Sequence, residues 1–201
     1  IPSGVTSIGY EAFYGCSSLA DVTFGENSQL TFIGDYAFYN CSSLASIEIP
    51  SGVTSIGSAA FGGCSSLADV TFEENSQLTF IGDYAFYNCK SLASIEIPSG
   101  VTSIGSSAFY YCSSLETIIV EEGNSVYDSR GNCNALIETA SNTLMLGCKN
   151  TIIPETVTSI GSDAFSYCFD LASIEIPSGV TSIGSSAFYS CSGLTNVAFA
   201  E

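Results

Sequence analysis

The sequence predicts an α/β repeat fold: a right-handed solenoid with parallel strands on a concave face, short helices on a convex face and one inserted β-hairpin. Three observations predict it. Ile-Gly recurs at Ile8-Gly9, Ile33-Gly34, Ile56-Gly57, Ile81-Gly82, Ile104-Gly105, Ile160-Gly161 and Ile183-Gly184. The intervals are 23 or 25 residues, apart from one of 56. After each Ile-Gly come Ala-Phe, Cys and Leu at fixed distances, so one structural unit is stacked along the chain rather than many different ones being assembled.

The stretch from Ile33 to Ile56 shows the elements in order. Asp35 follows Gly34, and its counterparts Ser58, Asp83, Ser106, Ser162 and Ser185 are also residues whose side chains accept from the free N–H groups that open a helix. Ala37, Phe38, Cys41 and Leu44 then fall at i, i+1, i+4 and i+7, the spacing of one buried helical stripe. Such a helix has about two turns and cannot persist alone, so packing must hold it, chiefly through Phe38. From Leu44 the period changes. Leu44, Ile47 and Ile49 point inward while Ala45, Ser46 and Glu48 point out, the pattern of a strand lining a horseshoe. Pro50 ends the strand because it has no N–H for another ladder bond. Ser51-Gly52 turns the chain, and Val53-Thr54-Ser55-Ile56 leads extended into the next coil. In longer coils the turn is replaced by Gly25-Glu26-Asn27-Ser28-Gln29 or Glu73-Glu74-Asn75-Ser76-Gln77, an insertion on one edge.

The 201 residues read as a single solenoid domain, 1–201, because each coil needs only its neighbours. An irregular segment spans about 121–152. The chain opens at Ile1-Pro2 in mid-coil and closes at Phe199-Ala200-Glu201 on a strand end, which we read as a piece of a longer protein. Apolar residues make up 46% of the chain, enough for a continuous core, yet no run reaches the length of a bilayer-spanning helix. Twenty acidic residues stand against Lys90, Arg130 and Lys149, a net charge of −17. That charge repels phosphate backbones and anionic membranes, so neither nucleic acid nor membrane insertion of this segment is expected.

The string Ala-Phe-x-x-Cys-x-x-Leu-x-x-Ile-x-Ile-Pro-x-x-Val-Thr-x-Ile-Gly resembles the BspA-type, or Treponema pallidum-type, leucine-rich repeat of bacterial surface proteins. Near-full copies cover all but roughly residues 121–150. The resemblance implies a curved leucine-rich-repeat solenoid, secreted or displayed at the cell surface, that acts in adhesion to a host extracellular-matrix or bacterial surface protein. It names no ligand, since the repeat positions are scaffold.

Between Ile104-Gly105 and Ile160-Gly161 the pattern lapses. Leu115, Ile118 and Val120 make a normal strand, and Thr151-Ile152-Ile153-Pro154 ends the next, but no capped helix lies between them. Residues 133–148 carry two apolar runs around a polar centre, the pattern of a β-hairpin. With Ala140-Ser141 at the turn, Ile137 faces Leu144, Ala135 faces Leu146, and Cys133 faces Cys148. That register makes Cys133 and Cys148 a candidate disulfide, with two packed thiols as the alternative. The hairpin is expected to protrude as a local addition.

No catalytic, cofactor or metal site is expected, and the chain does not read as an enzyme. Cys16, Cys41, Cys64, Cys89, Cys112, Cys168 and Cys191 occupy one repeat position on the buried stripe. One thiol per coil is a column and not a C-x-x-C ligand set, and without histidine nothing completes a zinc site or activates a serine or thiolate. Six acidic residues, Asp21, Glu48, Asp69, Glu96, Glu116 and Glu175, fall on the strand face and form a candidate protein-binding strip. Their alternation between columns keeps like charges from opposing one another at the strand spacing of about 4.8 Å. Solubility alone is the plainer reading of them. Calcium needs six to eight converging oxygens, which carboxylates on separate coils do not supply. Tyr14, Tyr39, Tyr87, Tyr110 and Tyr189 each follow a core Phe and read either as shields of a thin layer or as an interface. The chain is therefore expected to be an extracellular or cell-surface protein-binding module. The alternative is a structural spacer that projects a binding domain located elsewhere in the protein.

Overall fold

The computed structural model describes residues 1–201, which form two compact units. One comprises Ile1–Leu92 with Gly100–Cys112, the other Ala93–Ser99 with Ser113–Glu201. Both are built of stacked coils.

In the first unit the β-branched segment before each Ile-Gly forms a two-residue strand. Ser7–Ile8, Phe32–Ile33, Ser55–Ile56, Phe80–Ile81 and Ser103–Ile104 make one parallel sheet in which Ile pairs with Ile at every step. A threonine ladder extends it: the amide and hydroxyl of Thr54 both donate to the Thr31 carbonyl, and those of Thr79 to Thr54. The longer strands form a second ladder, Ser46–Ile49 with Asp69–Phe72. There Ile47 and Ile49 are buried while Ser46 and Glu48 are exposed, as the alternation predicts.

The segments expected to form short convex helices are successive turns instead. Tyr36 (φ 56°) and Asn40 (φ 58°) are left-handed, and the same two positions recur as Ala59 (φ 50°) and Gly63 (φ 75°), then Tyr84 (φ 56°) and Asn88 (φ 59°). A left-handed residue cannot continue an α-helix. The amides therefore alternate in what they bond. Those of Ala37, Tyr39, Cys41 and Leu44 donate three residues back, closing turns, while those of Tyr36, Phe38 and Asn40 donate to Ser58, Ala60 and Gly62 of the next coil. Two linked turns bring Ala37, Phe38, Cys41 and Leu44 inside as completely as a helical stripe would, with none of the four solvent-accessible. The sole helical element of the chain is a short 3-10 turn at Arg130–Asn132.

The expected helix caps consequently act between coils. Asp35 Oδ1 accepts the Ser58 amide and Asp83 Oδ1 that of Ser106, each at 2.7 Å. The glycine between them is obligatory: a Cβ on Gly57 would meet the Asp35 carboxylate and backbone at about 2.5–2.6 Å.

Inside the turns, Phe13, Phe38, Phe61, Phe86 and Phe109 stack with ring centroids 5.0–5.4 Å apart and planes within 4–6° of parallel. Beside them run the thiols. Cys41, Cys64, Cys89 and Cys112 each donate S–H to the Phe carbonyl one coil back, at 3.1–3.2 Å. A small apolar side chain with one weak donor suits that position, adding a second donor to a carbonyl that already accepts the cysteine amide of its own coil. Of the seven repeat cysteines expected to be buried, Cys41, Cys64, Cys89, Cys112 and Cys168 are, whereas Cys16 is exposed and Cys191 half-buried, because each lies in an outermost coil stacked on one side only.

Burial pushes the Cys41 thiol up to about 11 and those of Cys64, Cys112 and Cys168 up to about 12. A raised folded-state value means that the native state holds its proton where the unfolded chain has released it. Stability is then fully present below the free-thiol pKa of about 8.5 and lost as pH rises toward 12. We expect level denaturation midpoints up to about pH 8, then a fall of about 1.4 kcal/mol per pH unit for each buried thiol. A thiol reagent should label Cys16 at once in the native protein and the buried five only after denaturation; prompt native labelling of Cys64 would contradict the packing.

The second unit contains the irregular segment. Ser94–Ile97 pairs with Thr117–Val120 and Ser173–Ile176 with Asn196–Phe199, all parallel. Between these lies a five-stranded sheet in the order Tyr127–Asp128, Ala135–Glu138, Thr143–Gly147, Ser159–Ile160, Ser182–Ile183. The hairpin is present, with Ile137 opposite Leu144 as expected. A bulge between Leu136 and Ile137 then shifts the register, so Ala135 faces Gly147 rather than Leu146. The hairpin is also no protrusion. Thr143 and Leu144 pair in parallel with Ser159 and Ile160, taking the place that Ser-Ile holds in an ordinary coil. Leu144, Ala135 and Ile137 join the core formed by Val157, Ile160, Phe165 and Leu171.

Candidate functional site

The six carboxylates of the strand face divide between the units. In the first, Ser46 pairs with Asp69 and Glu48 with Thr71, while Asp21 lies one coil earlier, its neighbour Ala20 accepting the Ala45 amide. No carboxylate opposes another, as the alternation requires. In the second unit Glu96 and Glu175 are exposed, Glu96 beside Ile119 and Glu175 beside Ala198. Glu116 stands apart from this column. It precedes its strand, and its Oε1 accepts from Lys149 Nζ at 2.6 Å while its carbonyl accepts from Cys148 Sγ and Asn150 Nδ2. That carboxylate ties the strand to the end of the hairpin.

The Glu96 column carries a feature that the acidic reading passed over. Ile119 is 44% exposed and Ile152, at the equivalent position of the following coil, is 75% exposed. Ordinary coils place Glu48, Thr71, Glu96 or Glu175 there. The signal is legible in the sequence as an outward Ile where the repeat mostly writes Glu or Thr. The Ile152 amide donates to the Cys133 carbonyl at 3.0 Å, so its backbone is fixed by the hairpin.

Several other polar groups have structural partners. Glu73 Oε2 accepts the amide and hydroxyl of Ser51, and Glu121 Oε2 accepts the Ser99 amide, so these glutamates of the long edge cap a turn of the preceding coil. Arg130 is held by Asp128 at 2.6 Å and by Asn142 and Thr156. Cys133 and Cys148 are free thiols that point at different acceptors, Cys133 toward the Ala135 carbonyl and Cys148 toward those of Glu116 and Asn134. Burial raises both. No group of His, Cys, Asp and Glu side chains converges to hold a metal ion. No helix is long and apolar enough to cross a membrane.

The model of the BspA type leucine rich repeat region matches this chain in six copies, over residues 1–116, 31–146 and 138–201. The chain belongs to the BspA-type leucine-rich-repeat family. The repeat columns of Phe, Cys, Leu and Ile-Gly are thus the family's scaffold. The pneumococcal vaccine antigen PcpA is 30% identical and superposes with a TM-score of 0.89, covering 98% of this chain and 49% of its own. A leucine rich cell surface protein of Faecalibacterium prausnitzii is 34% identical with a TM-score of 0.75, covering all of this chain and 60% of its own. The leucine rich repeat protein of T. pallidum is 30% identical with a TM-score of 0.62, covering 95% of this chain and 72% of its own. The chain therefore spans about half to three-fifths of the first two structures. None of the curated proteins matches the sequence.

Proposed function

We propose that this BspA-type chain is a non-catalytic protein-binding module displayed outside the cell, and that it adheres to a host extracellular-matrix or bacterial surface protein through the strand face of its second unit. One observation carries this reading: Ile119 and Ile152 are exposed in the outward column that also holds Glu96 and Glu175. A spacer needs only a soluble face there, which the repeat's usual Glu or Thr supplies. Apolar anchors rimmed by charge are instead the anatomy of an interface, where a few desolvated side chains give most of the affinity and the rim sets association rate. The surface-protein relatives support the location.

The test is a binding screen against immobilised matrix and bacterial surface proteins, followed by two variants on any partner found. Ile119→Ser with Ile152→Ser should weaken binding about tenfold or more through faster dissociation. Glu96→Gln with Glu175→Gln should slow association and flatten its salt dependence. A partner that responds to neither variant binds elsewhere. No partner at all, with undiminished adhesion when this segment is exchanged for another of equal length, establishes the spacer.

A further inference from the structure

The short-strand sheet of the first unit carries an outward column of alternating serine and phenylalanine. Strand by strand it runs Ser7, Phe32, Ser55, Phe80, Ser103, each paired with the next. Phe32 is 40% exposed and Phe80 41%. The tyrosine row behaves differently: Tyr39 stacks on Tyr14 at 5.2 Å and lies across Gly62, and Tyr87 stacks on Tyr110, so those rings cover one another. A serine is too short to cover a phenyl ring. No neighbour in the column therefore screens Phe32 or Phe80, which lie two strand spacings apart, about 10 Å, with Ser55 between them.

The properties of this strip select its ligand. It is uncharged: the five strands and the threonine before each hold no ionisable side chain, in a chain of net charge −17. It also accepts hydrogen bonds. Thr31, Thr54, Thr79 and Thr102 are exposed, and each donates its hydroxyl proton to the threonine carbonyl one coil back at 3.0–3.4 Å, which leaves the oxygen lone pairs free. Finally, it is narrow. Two residues of each strand across five strands give about 7 Å by 19 Å, far below the roughly 800 Å² per partner that a stable protein interface covers.

We propose that this strip binds one chain of a neutral β-1,4-linked glucan lying along the stack, with alternate sugar rings resting on Phe32 and Phe80. An extended glucan of this linkage is a flat ribbon with C–H bonds on its faces and O–H groups on its edges. The C–H bonds meet the negative face of a phenyl ring, and the hydroxyls donate to the threonine row. Alternate sugars present the same face one disaccharide apart, a length of about two strand spacings. Ser55, beneath the sugar between them, is short enough to let the ribbon pass. The strip lies in the other unit from the isoleucine column, and its occupancy is independent of the adhesion reading.

Cellohexaose is the probe and maltohexaose, its α-linked isomer, the control, with binding followed by amide NMR. Cellohexaose should shift the amides of Phe32, Ser55 and Phe80 saturably and leave those of Glu96 and Glu175 in place. Cellobiose, too short to reach both rings, and maltohexaose, whose linkage curls the chain, should bind at least about tenfold more weakly. Added salt should change nothing, because no ion pair forms. Phe32→Ser with Phe80→Ser writes the residue that the column already holds at Ser7, Ser55 and Ser103, so the coils keep their fold and binding should vanish. Phe32→Tyr with Phe80→Tyr keeps the ring faces and should bind within about twofold of the parent. The proposal is overturned by the absence of a saturable shift with cellohexaose, by equal binding of the two hexaoses, or by undiminished binding to the serine pair. Self-association of the parent that the serine pair abolishes would also overturn it, since the strip would then join copies of the chain.

Discussion

Excising residues 133–148 with a short bridge is expected to unfold the second unit rather than trim it. The hairpin supplies Leu144 to the Ile-Gly ladder and, with Ala135, Leu136, Ile137 and Cys148, several side chains that are 0–2% exposed. At about 1.5–3 kcal/mol for each large apolar side chain returned to water, and with the Ser159–Ile160 strand left unpaired on one side, the loss approaches the whole stability of an ordinary domain, about 5–15 kcal/mol. Amide hydrogen exchange is the direct measure. Protection should vanish across 151–183 while the Ser7–Ile8 to Ser103–Ile104 ladder of the first unit retains it. Leu144→Ala is the milder form, costing about 2–5 kcal/mol. A hairpin-free variant with native protection at Ile160 and Ile174 would return the hairpin to the status of an ornament.

Phe86→Ala should cost about 3–5 kcal/mol, the usual penalty for emptying a buried aromatic site. The ring is fully buried and sandwiched between Phe61 at 5.4 Å and Phe109 at 5.3 Å. Its neighbours cannot collapse into the gap, because the Phe86 amide is bonded to the Ala108 carbonyl and the Phe61 amide to that of Ala85, which fixes the coil spacing. Tyr87→Ala, on the half-exposed row one residue away, should cost about 1 kcal/mol. Paired urea denaturation curves measure both. Coincident midpoints would mean that the stacked column contributes no more than the surface row.

Much of this architecture is legible in the sequence because the repeat writes each position several times. Period-2 alternation in Ser46-Ile47-Glu48-Ile49 gives the strand and its faces, and the invariant spacing of Phe and Cys gives the core columns. The turns were misread as helices for a physical reason. Ala37, Phe38, Cys41 and Leu44 satisfy the helical apolar spacing, but two linked turns satisfy it as well, and the evidence between them lies in backbone sign. Asn40, Gly63 and Asn88 favour left-handed φ, whereas Tyr36 and Tyr84 give no such warning. The hairpin's pairing was legible near its turn, at Ile137 and Leu144, and illegible beyond the bulge, which one residue in either strand suffices to create. On the candidate site, Glu96 and Glu175 were found by charge alone. Ile119 and Ile152 stand out only when the outward position is compared from coil to coil, where the repeat mostly writes Glu or Thr. Glu116 was counted with the strip because nothing in the sequence shows that Lys149 returns to it.

The linking of coils through Asp35 to Ser58 and Asp83 to Ser106, with Glu73 reaching Ser51, has a genetic corollary. An Asp-bearing coil always presents its carboxylate to a Ser-bearing one, so the exchangeable module is a couple of 25 and 23 residues and not a single coil. Ile33 to Ile81 is one such module, 48 residues long, and the sequence beginning at Gln29 returns almost unchanged from Gln77. Unequal crossing-over by that length inserts or removes two coils with every donor still facing its acceptor. A shift of one coil within that couple would set Asp against Asp, whereas Ser-bearing coils do stack in succession at Ser162 and Ser185. Length variation within the Asp-bearing part of close relatives should therefore come in steps of 48 residues, and each step adds or removes one tyrosine pair of the Tyr36/Tyr39 kind.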